Sequence, residues 1–91
     1  MTAIYQLKPS AAIREVAGEI FVVTEDRAFH HAHVPTAIDA LAALRESSRT
    51  LDELVELIAG RYNVEPDQAR ADLTDFLATL EQRRIVQTTA A

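Results

Sequence analysis

The chain has 91 residues, with nine Lys or Arg against fourteen Asp or Glu, a net charge of −5 and no cysteine. This length predicts one domain over residues 1–91, the lack of cysteine excludes disulfides and thiolate sites, and the acidic balance argues against nucleic acid, whose phosphates are bound by cations. The sequence has neither the apolar run of a signal peptide nor the roughly 20 apolar residues of a membrane span, so we expect a cytoplasmic protein without a membrane partner.

The N-terminal third of the chain predicts three short antiparallel strands. They fall at residues 13–17, 20–24 and 27–33, after a lead-in at residues 1–10. The middle segment, IFVVT, is β-branched and aromatic and too short for a helix, and turns are expected at Gly18-Glu19 and Glu25-Asp26. Because side chains alternate along a strand, Phe29, His31 and His33 should share one face of the third strand.

Three helices are predicted after Pro35. Thr36 is placed to cap the first helix, which Ser47-Ser48 ends. Thr50 and Glu53 have the spacing of a capping box at the start of the second helix, in which the hydroxyl and the carboxylate each accept one free backbone N–H. The order of strands and then helices predicts an α+β fold, with a three-stranded antiparallel sheet followed by three helices.

The third helix is the longest predicted element. Gly60 marks the end of the second helix in the left-handed conformation, and Pro66 suits the first turn of the third. The apolar positions of this third helix recur at helical spacing, at Ala69, Leu73, Phe76, Leu77 and Leu80. After it, Ile85-Val86 should dock on the core, and residues 87–91 should form a frayed tail.

The residue types that carry catalysis or bind metals are poorly placed for either role. His30, His31 and His33 lie close together, but no Asp, Glu or Cys at ligand spacing completes a closed metal site. The serines lie in no strand–turn–helix elbow, and the carboxylate pair Asp72 and Asp75 lies on the polar side of a helix, where solvation explains it. We therefore predict no catalytic residues, no metal and no cofactor.

The second and third helices have the spacing of a helix-turn-helix, which makes a winged-helix DNA-binding regulator the alternative function. A helix that reads DNA brings Arg, Lys, Asn or Gln to the bases with its N-terminal half. Here that half carries Asp67, Asp72 and Asp75 against a single Arg70. This distribution disfavours DNA, and we predict no nucleic-acid partner.

An open sheet edge beside the third helix is the remaining candidate site. An edge strand exposes unpaired N–H and C=O groups, to which an extended peptide adds as a further strand. If the third strand lies beside the last helix, the walls of the groove are strand 27–33 and one side of that helix. The expected peptide contacts are Arg27, Ala28, Phe29, His30, His31, Ala32, Arg70, Leu73, Thr74, Leu77 and Glu81.

Two of these contacts have plain alternatives. Leu77 would form an apolar floor of the groove, unless it belongs to the core. Arg70 would anchor an acidic side chain of the peptide, unless it pairs with a neighbouring carboxylate. The same open edge also suits self-pairing of two chains into a homodimer.

From Thr36 to Val86 the sequence resembles the PqqD-like family, the peptide-recognition domains of ribosomally made, modified natural products. The resemblance lies in a series of short motifs, each weak alone and fairly specific in this order. The motifs are Thr36-Ala37, Arg49-Thr50-Leu51 with Glu53 and Leu54, Tyr62-Asn63-Val64-Glu65-Pro66, Asp72-Leu73-Thr74-Asp75-Phe76-Leu77 with Leu80, and Ile85-Val86.

The resemblance implies a winged-helix-like fold with the strands first, and no catalysis. Proteins of this family hold the leader part of a precursor peptide and present the core part to a modifying enzyme. The leader pairs with the third strand and lies along the third helix, which is the groove inferred above. The implied partners are a precursor peptide and a modifying enzyme such as a radical SAM protein, a cyclase or a leader protease.

Overall fold

Two three-stranded antiparallel sheets and three helices form the protein, in a computed structural model that describes residues 3–90. In chain order the elements are β1 (Ala3–Leu7), β2 (Ala12–Val16), β3 (Glu19–Val23), β4 (Phe29–Ala32), α1 (Pro35–Glu46), β5 (Arg49–Thr50), α2 (Leu51–Tyr62), α3 (Pro66–Gln82) and β6 (Val86–Ala90). The strands β2, β3 and β4 are the three strands expected from the sequence, and the three helices after them confirm the α+β order.

The sheet β2-β3-β4 is a meander with two tight turns. Ala17 and Gly18 connect β2 to β3, and both have a positive φ, of 53° and 80°, as a two-residue type I′ hairpin loop requires. The observed turn, Ala17-Gly18, therefore comes one residue before the predicted turn at Gly18-Glu19. The second turn, predicted at Glu25-Asp26, is confirmed; it ends at Arg27, whose φ of 64° is left-handed.

A second sheet, with the strand order β5-β1-β6, joins the beginning and the end of the chain. In β1, Tyr5 lies opposite Arg49 of β5 on one side and opposite Thr88 of β6 on the other. All pairs in this sheet are antiparallel.

This second sheet corrects two predictions. The segment 1–10, expected to be a lead-in, contains β1, and the segment 87–91, expected to fray, contains most of β6. Residues 1, 2 and 91 lie outside the described residues. The sequence QTTA lacks the apolar alternation of a strand, and its partner lies at the other end of the chain, so local patterning carries no signal of the pairing.

The helix α1 begins at Pro35 without the predicted Thr36 cap. Val34 is the N-cap residue, and no side chain accepts a hydrogen bond from the first turn. Proline is favoured at the first helical position because it lacks an N–H and its φ already suits a helix, so the helix starts one residue before Thr36. The predicted end of α1 at Ser47 is confirmed.

The helix α2 begins at the predicted capping box. The carboxylate of Glu53 accepts from the Thr50 N–H at 2.8 Å, and the Thr50 hydroxyl accepts from the Glu53 N–H at 3.2 Å. The predicted end at Gly60 is wrong, because α2 continues and Asn63 takes the left-handed conformation with a φ of 53°. Asparagine is the usual substitute for glycine there. The start of α3 at Pro66 is confirmed.

The core lies between the inner face of β3 and the helices. Its largest fully buried side chains are Ile20, Val22, Leu41, Leu54, Leu77 and Ile85. The predicted docking of Ile85-Val86 is confirmed, since these two residues are 1% and 2% exposed. Within residues 3–90, no helix combines the length and the apolar character needed to cross a membrane.

Candidate functional site

The strand β4 forms one edge of the sheet β2-β3-β4. It pairs with β3 in an antiparallel register that runs from Val23 opposite Phe29 to Ile20 opposite Ala32. Within the described part of the chain, no strand lies on the other side of β4. The protein's own described residues therefore leave this edge open to a further strand.

Every second residue of β4 has its main-chain N–H and C=O groups directed to the open edge. The Thr24 N–H donates to the carbonyl oxygen of Ala28 at 3.0 Å, so Thr24 and Ala28 form a hydrogen-bonded pair. Such pairs alternate with non-hydrogen-bonded pairs along an antiparallel ladder. The next hydrogen-bonded pair therefore contains His30, while the N–H and C=O groups of Phe29 and His31 point away from β3.

A cavity of about 350 Å³ lies between β4 and α3. The strand side of the lining is residues 30–34, and α3 contributes Ala69, Asp72, Leu73, Phe76 and Leu80. Arg83, directly after α3, completes this side of the lining. Further apolar lining comes from Val22, Leu41, Ile58, Val64 and Ile85. A strand added to β4 would place alternate side chains over this cavity.

The cavity faces a different side of α3 from the one expected. Of the expected α3 contacts, Leu73 lines the cavity, and Arg70, Thr74, Leu77 and Glu81 do not. The lining stripe Ala69-Leu73-Phe76-Leu80 lies one position earlier in the sequence than the expected stripe, a rotation of about 100° around the helix axis. The helix carries an apolar band wide enough for either orientation, and packing against the core selects one.

The residues of the expected stripe have other surroundings. Leu77 is fully buried in the core, and Arg70 pairs with Asp52 at 2.5 Å. The Thr74 hydroxyl donates to the carbonyl oxygen of Arg70 at 2.7 Å, and Glu81 is exposed. The fold therefore adopts the alternative stated from the sequence for both residues. Leu77 belongs to the core, and Arg70 pairs with a carboxylate.

The expected strand contacts divide between the turn and β4. Arg27 belongs to the turn, and Ala28 lies between the turn and the first strand residue. His30, His31 and Ala32 border the cavity. Phe29 lies outside the cavity and is 65% exposed.

His30 and His31 lie on opposite faces of β4, and His33 lies directly after the strand. The His31 ring stacks on Phe21 with the ring centres 4.4 Å apart, and its Nε2 contacts a carboxylate oxygen of Glu19. The His33 ring follows at 5.3 Å from that of His31. The Nε2 atom of His30 is buried and has no hydrogen-bond partner among residues 3–90. The described residues contain no group of three metal-ligating side chains.

A family model described as coenzyme PQQ synthesis protein D (PqqD) matches residues 33–86, more than half of the chain. The chain belongs to the PqqD family. Members of this family are peptide-binding domains without catalytic activity. The matched segment begins directly after β4 and includes α3, so it contains most of the cavity lining.

Three solved structures share the fold of this PqqD-family protein. TbiB1 in complex with the TbiA(beta) leader peptide has a TM-score of 0.84 and 18% identity, over 94% of this chain and 99% of that one. Lasso peptide synthetase B1 complexed with the leader peptide has a TM-score of 0.77 and 13% identity, over 91% and 96%.

The third is the PqqD truncation of Methylobacterium extorquens PqqCD, a stand-alone recognition element for ribosomally synthesised and post-translationally modified peptides. It has a TM-score of 0.72 and 17% identity, over 92% of this chain and 88% of that one. At these identities the likeness establishes a common fold. No curated protein sequence matches the chain.

Proposed function

We propose that this protein binds the leader region of a ribosomally synthesised precursor peptide as a strand added to β4. The observation that carries the proposal is the open edge of β4 beside the cavity in front of α3. Membership of the PqqD family supports this role, as does the common fold with two proteins that were solved with leader peptides.

Main-chain hydrogen bonds would set the register of the bound leader. The outward N–H and C=O groups of Phe29 and His31 are two residues apart, which is the spacing at which an antiparallel partner forms its hydrogen-bonded pairs. Because these bonds involve only the main chain, they accept many sequences. They fix the position of the peptide rather than its identity.

Side chains that face α3 would supply the selectivity. The cavity has mainly apolar walls, with Phe76 half-buried at one of them. Burial of one leucine- or phenylalanine-sized side chain contributes about 1.5–3 kcal/mol. We therefore expect the leader to carry at least one large apolar residue at a position that points from the added strand to α3.

A modifying enzyme is the second proposed partner. A radical SAM protein, a cyclase or a leader protease would act on the core part of the precursor while the leader stays bound to β4. In this division the protein contributes binding and positioning, and the chemistry belongs to the enzyme. Holding the substrate beside the enzyme raises its effective concentration there.

Amide hydrogen exchange measured by NMR tests the strand addition. The probes are random peptides of about ten residues, near the upper limit of strand length, selected by display on the purified protein. With a selected peptide bound, the amides of Phe29 and His31 should exchange more slowly. The His30 amide is the internal control, because β3 already protects it in the free protein.

Two results would contradict the proposal. One is a selected peptide that binds and leaves the exchange of Phe29 and His31 unchanged. The other is protection of both amides in the peptide-free protein, together with a mass of two chains by light scattering. That combination would assign the edge to a homodimer.

A further inference from the structure

Two charged side chains lie at the ends of the cavity-facing stripe of α3, one on the helix and one directly after it. Among the described lining residues, the charged ones besides histidine are Asp72 and Arg83. They are eleven positions apart in sequence, about 16 Å along a helix that rises 1.5 Å per residue. Between them the same stripe is apolar, with Leu73, Phe76 and Leu80.

Neither charge is neutralised by another described residue. Asp72 accepts a hydrogen bond from the neutral amide of Gln68 at 2.9 Å, and no cation of residues 3–90 pairs with it. In the same part of the chain, no carboxylate lies within ion-pair distance of Arg83. By contrast, Arg70 and Arg84 each have a carboxylate partner.

The contacts of the helix ends fix the relative direction of β4 and α3. Arg84 lies just after α3, and its Nη1 atom is 4.0 Å from Oε1 of Glu25, in the turn before β4. At the N-terminal end of α3, Tyr62 is the last residue of α2, and its hydroxyl donates a hydrogen bond to the carboxylate of Asp39. Asp39 lies near the start of α1, the helix that follows β4. The chain therefore runs along β4 in the direction opposite to α3.

A guest strand in the antiparallel pattern of this sheet would run in the same direction as α3. Its N-terminal part would lie towards Asp72 and its C-terminal part towards Arg83. A strand advances about 3.3 Å per residue, so 16 Å corresponds to about five residues. Because side chains on one face recur every second residue, the matching positions are about four or six residues apart.

We propose that Asp72 and Arg83 select leaders with a defined charge order: a basic residue first and an acidic residue about four to six positions later, with apolar residues between them. This inference rests on the proposed leader binding and names the class of peptide that the site prefers. Exposed ion pairs contribute little affinity, and their effect is on orientation and on exclusion of wrong partners. The reversed order would place like charges together at both ends.

The first experiment selects random peptides of about ten residues on the wild-type protein and, in parallel, on the His31→Pro variant. Peptides that bind through the open edge should be depleted on the variant, because each loses one main-chain hydrogen bond, about fivefold in affinity. Among those peptides, Lys or Arg should be enriched ahead of Asp or Glu at the stated spacing. A Lys-then-Glu peptide should bind about fivefold more tightly than its Glu-then-Lys isomer, as two exposed pairs allow.

A charge reversal provides the decisive comparison. The double variant Asp72→Lys with Arg83→Glu should prefer the Glu-then-Lys isomer. The matched control is Asp75→Lys with Arg45→Glu, which makes the same charge changes at two exposed residues outside the lining, neither of which has an ion-pair partner among residues 3–90. This control should keep the wild-type preference. In about 1 M salt, where the Debye length is about 3 Å, the preference should largely disappear.

The outcomes separate this inference from the function on which it rests. Edge-dependent peptides without any charge order, or a preference that survives the Asp72/Arg83 reversal, would overturn the charge selection and leave strand addition intact. If no peptide distinguishes the wild type from the His31→Pro variant, both the charge selection and the proposed strand addition are wrong.

Discussion

The Thr24 N–H donates to the carbonyl oxygen of Ala28 at 3.0 Å, and this one bond sets which main-chain groups of β4 are free. The turn that it closes ends at Arg27, in the left-handed conformation expected of a three-residue hairpin loop. A turn one residue longer or shorter would exchange the inward and outward residues of β4. The hairpin thus determines the register of any strand that adds to the edge.

Proline substitutions in β4 should separate peptide binding from folding. His31→Pro removes an N–H donor that points to the open edge. We expect its affinity for selected peptides to be about fivefold lower, because one hydrogen bond contributes about 1 kcal/mol. Its thermal stability should change little. His30→Pro removes a donor to β3 and should lower the melting temperature. Isothermal titration and thermal denaturation measure the two effects.

The control for the first variant is His31→Ala, which keeps the N–H and loses the ring stacked on Phe21. It should bind peptides more tightly than His31→Pro. Equal affinities of the two variants would assign the loss to the imidazole and would contradict main-chain recognition at this residue.

Two neighbouring residues of α3 should respond to truncation in opposite ways. Phe76 lines the cavity and is half-buried, whereas Leu77 is 0% exposed in the core. Leu77→Ala should reduce the free energy of unfolding by about 2–5 kcal/mol. Phe76→Ala should cost less stability and should lower peptide affinity about five- to tenfold, because apolar contact with the peptide is lost.

Denaturant unfolding and peptide titration distinguish these outcomes. The milder variant Leu77→Met keeps the side-chain volume and should keep peptide affinity. A large loss of affinity in Leu77→Met, with Phe76→Ala at wild-type affinity, would mean that the peptide contacts the stripe originally expected from the sequence.

Local signals in the sequence predicted much of the fold. Thr50 with Glu53 located the start of α2, Pro66 located the start of α3, and the β-branched run 20–24 located the central strand of one sheet. Each of these depends on residues within a few positions of one another, so spacing alone is informative.

The errors all concern features that depend on distant residues or on competing local choices. The sheet β5-β1-β6 pairs the two ends of the chain, and nothing near Thr88 indicates its partner Tyr5. The orientation of α3 depends on which side of its apolar band packs against the core. The sequence placed Leu77 in the groove, whereas in the structure Leu77 is in the core and Phe76 lines the cavity. At the end of α2, Asn63 rather than Gly60 took the left-handed position, a choice that residue preference alone does not decide.

The two threonines proposed as helix caps should differ in their contribution to stability. Thr50 accepts from the Glu53 N–H, so Thr50→Ala should reduce the free energy of unfolding by about 1 kcal/mol, and lower the melting temperature by about 4–8 °C. Thr36 makes no capping hydrogen bond, and Thr36→Ala should have a much smaller effect. Equal losses in the two variants would contradict the assignment of the cap.

The capping box should also make stability depend on pH. The Thr50 N–H donates to the Glu53 carboxylate, and this hydrogen bond, with a further contribution from the Thr50 hydroxyl, holds the pKa of Glu53 below its usual 4.5. A carboxyl group with a lowered pKa in the folded state stabilises the protein above its unfolded-state pKa, and the contribution is lost as the pH falls through the folded-state pKa. Glu53→Gln should therefore be less stable than wild type near neutral pH, and the difference should shrink in acid.

Urea denaturation at about pH 7 and about pH 3 measures this difference. Glu56→Gln is the matched control, because Glu56 lies on the same helix, is exposed, and makes no side-chain hydrogen bond or ion pair with the described residues. Its difference from wild type should stay small at both pH values. A Glu53→Gln deficit that is the same in acid as at neutral pH would show that the carboxylate charge does not act through the cap.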